Sequence, residues 1–337
     1  MRTAAFRPPS LPLLTALLGL ATLVIFAFSV AVGYAPLDLR AALGDLLAGR
    51  QSLPALVLWE LRLPRAMLGA LVGFSLGMSG AALQGLLRNP LAEPGVIGIS
   101  SAAAFGAVLA FYSGLSASLA LALPLGGIIG AILATLLLFV LLGRGAGTTT
   151  LILAGVALNS FAGAATSLAL NLAPNPYAAL EIVFWLMGSL ADRSLDHVLL
   201  AFPLMLLGWG LLLSTAPALD ALTLGEDTAA SLGVDLSWLR ARLIGGTALA
   251  VGSAVAVAGA IGFVGLVVPH LLRPLVANRP GRLLLVSGFG GAILVLLADI
   301  ALRLAPIRPE LKLGVVTALI GAPFLFSLVD RMRREAR

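Results

Sequence analysis

Uncharged stretches long enough to cross a bilayer recur along almost the whole chain. Thirty uncharged residues separate Arg7 from Asp38, 22 separate Arg65 from Arg88, 50 separate Glu93 from Arg144 and 36 separate Arg144 from Glu181, with further runs at 197–219, 243–272, 283–298 and 313–329. A helix needs about 20 predominantly apolar residues to cross the hydrocarbon core. The 50-residue run is long enough for two spans, and the turn signal from Tyr112 to Ser116 near its middle divides it. Nine spans result when 243–272 is counted once. The first of them, Leu13 to Val32, is too long for a signal peptide and lacks a small-residue cleavage site, so it is expected to stay as a helix.

Charge decides whether 243–272 is one helix or two. Lys and Arg favour the cytoplasmic side, and both ends of the chain are basic: Arg2 and Arg7 precede the first span, and Arg331, Arg333, Arg334 and Arg337 follow the last. Both termini are therefore expected inside, which requires an even number of spans and selects ten. The break falls near Gly259-Ala-Ile-Gly262 and leaves a short eighth segment, Phe263 to Val276, with Pro269 and Pro274. A broken helix survives in lipid only where neighbouring protein covers its freed backbone groups. This topology puts 13 basic and 7 acidic residues inside against 8 of each outside. The expectation is an all-α, polytopic membrane protein forming one transmembrane domain over residues 1–337.

Composition agrees. Hydrophobic residues make up 60% and charged residues 11% of 337, against roughly 45–50% and 25% for a soluble domain. A soluble globular enzyme is excluded because too little charge is available to cover its surface. No cysteine is present, which removes disulfides and thiolate metal sites. Small residues recur every fourth position at Gly69, Gly73, Gly77, Ala81 and Gly85, at Gly126, Gly130 and Ala134, and at Gly155, Asn159, Gly163 and Ser167. In lipid such stripes let helix backbones approach and gain dispersion contact; they predict a tight bundle and say nothing of cargo.

Catalytic chemistry is poorly represented. The one lysine, Lys312, lies in Glu310-Leu-Lys-Leu-Gly and not in a phosphate-binding loop. His197, beside Asp196, and His270, after Pro269, make neither a metal-ligand nor a triad spacing, and both are read as structural. Asp299 and Arg303, four residues apart, share a helix face and pair. No other carboxylate falls at midspan, which disfavours an ion-coupled secondary carrier, and the lack of a catalytic set disfavours a non-transporting scaffold or intramembrane enzyme. In the loop after the sixth span, residues 226–232 form two helical turns, with Glu226 and Asp227 in the first turn and Gly233 as the stop. This short helix reads either as a docking element for another protein or as a connector.

Residues 61–106, LRLPRAMLGALVGFSLGMSGAALQGLLRNPLAEPGVIGISSAAAFG, resemble the signature of the FecCD family, the permeases of type II ABC importers for iron chelates, haem and cobalamin. TLGEDTAASLGV (223–234), AGAIGFVGLVVPHLLR (258–273) and GVVTALIGAP (314–323) fit the same family in order and spacing. The resemblance implies a homodimer of ten-helix subunits in the bacterial inner membrane, two cytoplasmic ABC ATPase subunits that use ATP and Mg, and a periplasmic or extracellular substrate-binding protein. No nucleic-acid partner and no cofactor or metal bound by this chain are expected.

It also implies roles for particular residues. Arg62, Arg65 and Arg303 match arginines that dock the binding protein; from position alone, Arg62 and Arg65 read either that way or as interfacial anchors. Asn89, Leu91, Thr148 and Thr149 match segments that close the pathway at the cytoplasmic end. Leu224, Gly225, Glu226, Ala229, Leu232 and Gly233 fall in the coupling helix. Lys312 departs from the family, which commonly has proline there. A likeness between SGAALQGLLRNPLA and AGAIGFVGLVVPHLLR hints at an internal repeat, inverted if the second and seventh spans run in opposite directions.

Overall fold

The computed structural model describes residues 10–33, 36–143, 147–306 and 310–335. Arg2, Arg7, Arg144, Pro309 and Arg337 lie outside the described residues. Among those described there is no strand. The chain forms helices α1 (Leu11–Ala31), α2 (Leu39–Leu47), α3 (Leu53–Leu56), α4 (Leu63–Leu87), α5 (Ile99–Tyr112), α6 (Ala122–Leu142), α7 (Thr148–Asn171) and α8 (Pro176–Leu186). It continues through α9 (Leu195–Ser214), α10 (Ala216–Leu222), α11 (Glu226–Ser231), α12 (Leu236–Ala258), α13 (Val264–Leu272), α14 (Pro280–Leu304) and α15 (Leu313–Glu335).

Their boundaries follow local chemistry. Asp38, Asn175 and Asp235 cap α2, α8 and α12 by accepting backbone amides, while Pro12, Pro64 and Pro280 sit in first turns, where a missing N–H is harmless. The expected turn at 112–116 is present, with α5 ending at Tyr112 and a 3₁₀ turn at Leu115–Ala117. Two features exceed the charge-run reading. A π-helical turn, Val57–Arg62, joins α3 to α4 into a 35-residue rod, Leu53–Leu87, and the amphipathic α2 and short α8 were not read from the sequence.

Seven helices among the described residues are long and apolar enough to cross a membrane, and four shorter apolar ones, Ile99–Tyr112, Pro176–Leu186, Val264–Val276 and Leu313–Leu328, accompany them. The protein is thus a multi-pass membrane protein. Helices α4, α12 and α14 are mostly buried within the chain, whereas α1, α6, α7 and α9 leave most of their apolar surface outward, as lipid or a neighbouring subunit requires.

The small-residue stripe of α4 explains the core. A Cβ at Gly73 would collide with the Gly291 carbonyl of α14, and one at Gly77 with that of Ser287, so the two backbones lie in direct contact. Gly126 and Gly130 of α6 meet Gly106 of α5 in the same way. The stripe of α7 is used only at one end: Gly155 packs on Ile97, but Gly163 faces open space.

The break between α12 and α13 lies where glycine and the freed backbone groups demand it. Gly259 has φ +72°, and its Cβ position is filled by the Trp185 carbonyl. Ser189 donates its amide to Ala258 O at 2.7 Å, Ala260 to Leu186 O at 3.4 Å, and the Arg193 Nε to Val257 O at 2.5 Å. The connector 186–193 therefore satisfies the break inside the protein.

Candidate functional site

The candidate residues gather at opposite ends of the Leu53–Leu87 rod. At its N-terminal end, the π turn and the first turn of α4 aim Arg62 and Arg65 at the last turn of α14. Arg65 holds Asp299 by two bonds of 2.9 and 2.8 Å to Oδ1 and also grips Glu310, at the start of the segment leading to α15. Arg303 takes the other oxygen of Asp299, 2.9 Å from its Nη2. The i, i+4 pair expected from sequence is thus one half of a bridge, with Asp299, 1% exposed, clasped between two guanidiniums.

The remaining donors of this group cap α1. Arg303 donates to the Ser29 carbonyl at 2.8 Å, to Val32 O at 2.5 Å and to Ser29 Oγ at 2.6 Å. Arg62 donates to Ala31 O at 2.5 Å and Val30 O at 3.3 Å. Three guanidiniums face two carboxylates, and the excess positive charge meets the negative end of a 21-residue helix and its orphan carbonyls. Arg62 and Arg303 are 7% and 6% exposed. Their head groups lie inside the protein, so snorkelling to the interface is not how they are held. Lys312 places its ammonium over the Phe184 ring of α8, 5.8 Å from the centroid.

At the other end lie the residues assigned to coupling and gating. Gly225 precedes α11 at φ +106° and Gly233 follows it at φ +88°, so the short helix has the expected start and stop. Ala229 is fully buried, while Leu224 and Leu232 are each 63% exposed. The outward apolar surface is therefore made by the two leucines flanking α11, joined by the exposed Trp238. Beside it Leu232, Trp238, Arg242 and Thr215 border a groove of about 550 Å³.

Two motifs far apart in sequence meet here. Thr148, at the start of α7, donates its hydroxyl to Glu226 Oε1 at 2.9 Å, and Arg240 of α12 holds Glu226 Oε2 at 3.1 Å. Thr149 is exposed beside it. Asn89 follows the left-handed Arg88 that ends α4 and accepts the Leu91 amide at 2.9 Å. That turn leads to Glu93, whose carboxylate accepts a backbone hydrogen bond from Phe263 at the head of α13; burial there raises its pKa above the usual carboxylate value. Asn89 and Leu91 are not joined to Thr148 by a hydrogen bond among the described residues.

The remaining polar residues fit structural work. His197 completes a capping box with Ser194 at the start of α9, and His270 stacks edge-on with Phe324 of α15. Among the described residues no cluster of His, Asp and Glu has a metal-holding arrangement. Sequence reasoning missed Ser29 and Glu310 as members of the first cluster, since neither a lone serine in an apolar helix nor a loop glutamate carries a local signal of its partner.

The sequence profile of the FecCD transport family matches residues 21–331. The vitamin B12 import system permease protein BtuC of Vibrio cholerae is 43% identical over 281 residues, covering 82% of this chain and 84% of that protein. An uncharacterized ABC transporter permease protein of Bacillus subtilis, YvrB, is 41% identical over 286 residues, with 83% of this chain and 80% of that protein covered. A solved ABC transporter assigned to the metal-chelate type, in an inward-facing conformation, superposes with a TM-score of 0.81 at 33% identity, over 95% of this chain and 99% of its own. The chain belongs to the FecCD transport family and is an ABC transporter permease, a transport component and not an enzyme.

Proposed function

We propose that the chain is the membrane subunit of an ATP-driven importer for a metal chelate of the cobalamin, haem or ferric-siderophore class. It works as a homodimer in the bacterial inner membrane, with ten spans per subunit and both termini inside. Two cytoplasmic ATPase subunits supply the energy from ATP and Mg, and an external binding protein delivers the cargo. The relation to vitamin B12 permeases makes cobalamin the first substrate to test. Support for a bulky, weakly charged cargo comes from α7, which has no charged residue from Thr148 to Asn171 and leaves Leu153, Val156 and Phe161 exposed.

One observation carries the coupling half of this reading: the Thr148 hydroxyl on Glu226. It joins the start of a helix assigned to the pathway to the short helix assigned to the ATPase, so a push on α11 is transmitted to α7 without an intervening loop. Leu224 and Leu232 form the contact with the ATPase, and Ala229 is the buried seat of α11. Asn89, Leu91, Thr148 and Thr149 line the inner closure.

At the opposite end the arginine cluster receives the binding protein. Arg65 shares the partly buried Glu310 and is the arginine closest to solvent, while Arg62 and Arg303 hold α1 in place behind it. The likeness between the segments at 79–92 and 258–273 supports an inverted repeat.

The decisive experiment is uptake into proteoliposomes holding the permease with its ATPase, with cobalamin, haem and several ferric siderophores offered through the binding protein. Uptake of one chelate that requires ATP is the expected result, and the permease without ATPase is inert. ATP hydrolysis by the isolated permease, or uptake powered by a proton or sodium gradient alone, would overturn the reading. Exchange of Leu232 for aspartate then tests the docking face: ATPase capture and ATP-driven uptake fall together while the folded permease is retained.

A further inference from the structure

The ATPase-facing end of the bundle holds a second cavity, of about 250 Å³, that none of the roles above uses. It lies where the last turns of α4 meet the connector from α13 to α14, and Arg88, Arg273, Asn278 and Thr223 supply its polar wall. Ala81 and Leu283 close its inner side. Its size is below the roughly 300–1,000 Å³ of sites that enclose whole organic ligands, so it suits a small group or the head of a larger molecule.

The charges of this wall are not balanced by the chain. Neither Arg88 nor Arg273 has an ion pair with a carboxylate among the described residues. Arg273 has one nitrogen fixed, its Nη2 donating to Gln84 Oε1 at 2.5 Å, and Gln84 is itself locked by donating to the carbonyls of Gly265 and Leu266. The Nε of Arg273 is buried without any acceptor. A buried guanidinium N–H left without a partner is expensive, and the orientation imposed through Gln84 keeps it so.

The adjoining carboxylate does not relieve this. Asp220, one turn before Thr223, accepts the Gly281 amide at 2.8 Å and does not line the cavity. From Leu236 through Ala298 the chain carries no acidic residue, and Arg279 and Arg282 are sequence neighbours of the lining residues Asn278, Pro280 and Leu283.

We infer that the cavity walled by Arg88, Arg273, Asn278 and Thr223 is an anion site that takes a phosphate group, as the head of an anionic phospholipid. Two guanidiniums, which can only donate, and the amide NH2 of Asn278 can bond the oxygens of a tetrahedral anion, and charge-assisted bonds of this kind are the strong ones. Basic pockets between membrane helices on the cytoplasmic side bind such head groups. The site is distinct from the coupling surface, because Leu232 and Trp238 border another groove. A phosphate there would complete the hydrogen bonding of Arg273 and tie α4 to the α13–α14 connector.

The test uses the full-length permease purified in detergent and returned to nanodiscs of phosphatidylcholine, with or without phosphatidylglycerol. Native mass spectrometry counts retained lipids, and thermal unfolding is followed with inorganic phosphate or with a dispersed short-chain phosphatidylglycerol. Retention of phosphatidylglycerol over phosphatidylcholine is expected, with a loss of about tenfold in apparent affinity on Arg273→Gln. Arg88→Gln, which breaks no side-chain hydrogen bond among the described residues, should lower it as well and guards against a folding defect in the first variant. If inorganic phosphate alone protects the wild type and not the variants, the site holds and its occupant is free phosphate. Equal retention of both lipids together with no response to phosphate overturns the proposal, as does binding that both substitutions leave unchanged.

Discussion

Arginine does opposite work at the two ends of the Leu53–Leu87 rod. At the α1 end, Arg62, Arg65 and Arg303 are consumed by Asp299, Glu310 and the closing carbonyls of α1. At the other end, among the described residues, Arg88 has no carboxylate partner and Arg273 keeps one buried N–H without an acceptor. The first end is a clamp: its charges were removed from water together, and each now depends on the others. The second retains positive charge for something outside the chain. Arginines that a sequence marks alike are therefore separated by what folding brings to them.

The sharpest way to break this contrast is to remove the shared carboxylate. Asp299→Ala leaves two guanidiniums facing each other in a buried site and is expected to destabilise the protein by about 3–5 kcal/mol, read as lowered thermal stability in detergent. Arg88→Ala, at the open end, should stay within about 0.5 kcal/mol of wild type. Equal losses from the two substitutions would show that the ends do not differ in kind.

A smaller effect is expected at Glu310. Its partner Arg65 keeps Asp299, so Glu310→Gln should cost about 1 kcal/mol. If Arg65 takes part in docking, the same substitution leaves its charge less neutralised and speeds association of an acidic binding protein at low salt, an advantage that fades as salt rises. Stopped-flow association at two ionic strengths checks this, and an unchanged rate at low salt would remove Arg65 from the docking surface. Reversing Arg62 or Arg303 is uninformative for docking, because either change would also uncap α1.

The smallest effect concerns Glu93, between the two ends of the break. Burial raises its folded pKa, so the folded protein binds a proton more readily than the unfolded chain. Stability from this group is full at pH below the unfolded carboxylate value and declines as pH rises through the raised folded value. Glu93→Gln keeps an acceptor for Phe263 and should flatten that slope, measured as thermal stability across the acidic range. A slope that persists in the variant would assign it to another carboxylate.

Much of this was readable along the chain. Apolar runs located the long helices, the glycines at 259 and 262 located the break, and the spacing of Asp299 and Arg303 gave their pairing. Glu226, Asp227 and Gly233 delimited α11, because helix starts and stops are written in residues within a turn of each other. The side of α11 that is free was not readable: Ala229 turned inward and Leu224 and Leu232 outward, and six residues are too short for a face to be read from periodicity.

The sequence by itself determined the solvent of this protein, the order of its helices and the points where they stop, since hydropathy, caps and glycine act over a few residues. Beyond the i, i+4 pair of Asp299 and Arg303, only the tertiary structure decided which charges cancel. Arg65 meets Asp299 across 234 positions, Thr148 meets Glu226 across 78 and Arg273 meets Gln84 across 189. Such pairs depend on the register at which one helix packs against another. That register is set by the summed fit of backbone and side chains along each interface, as where Gly73 and Gly77 lie on α14, and no local pattern of residues encodes it.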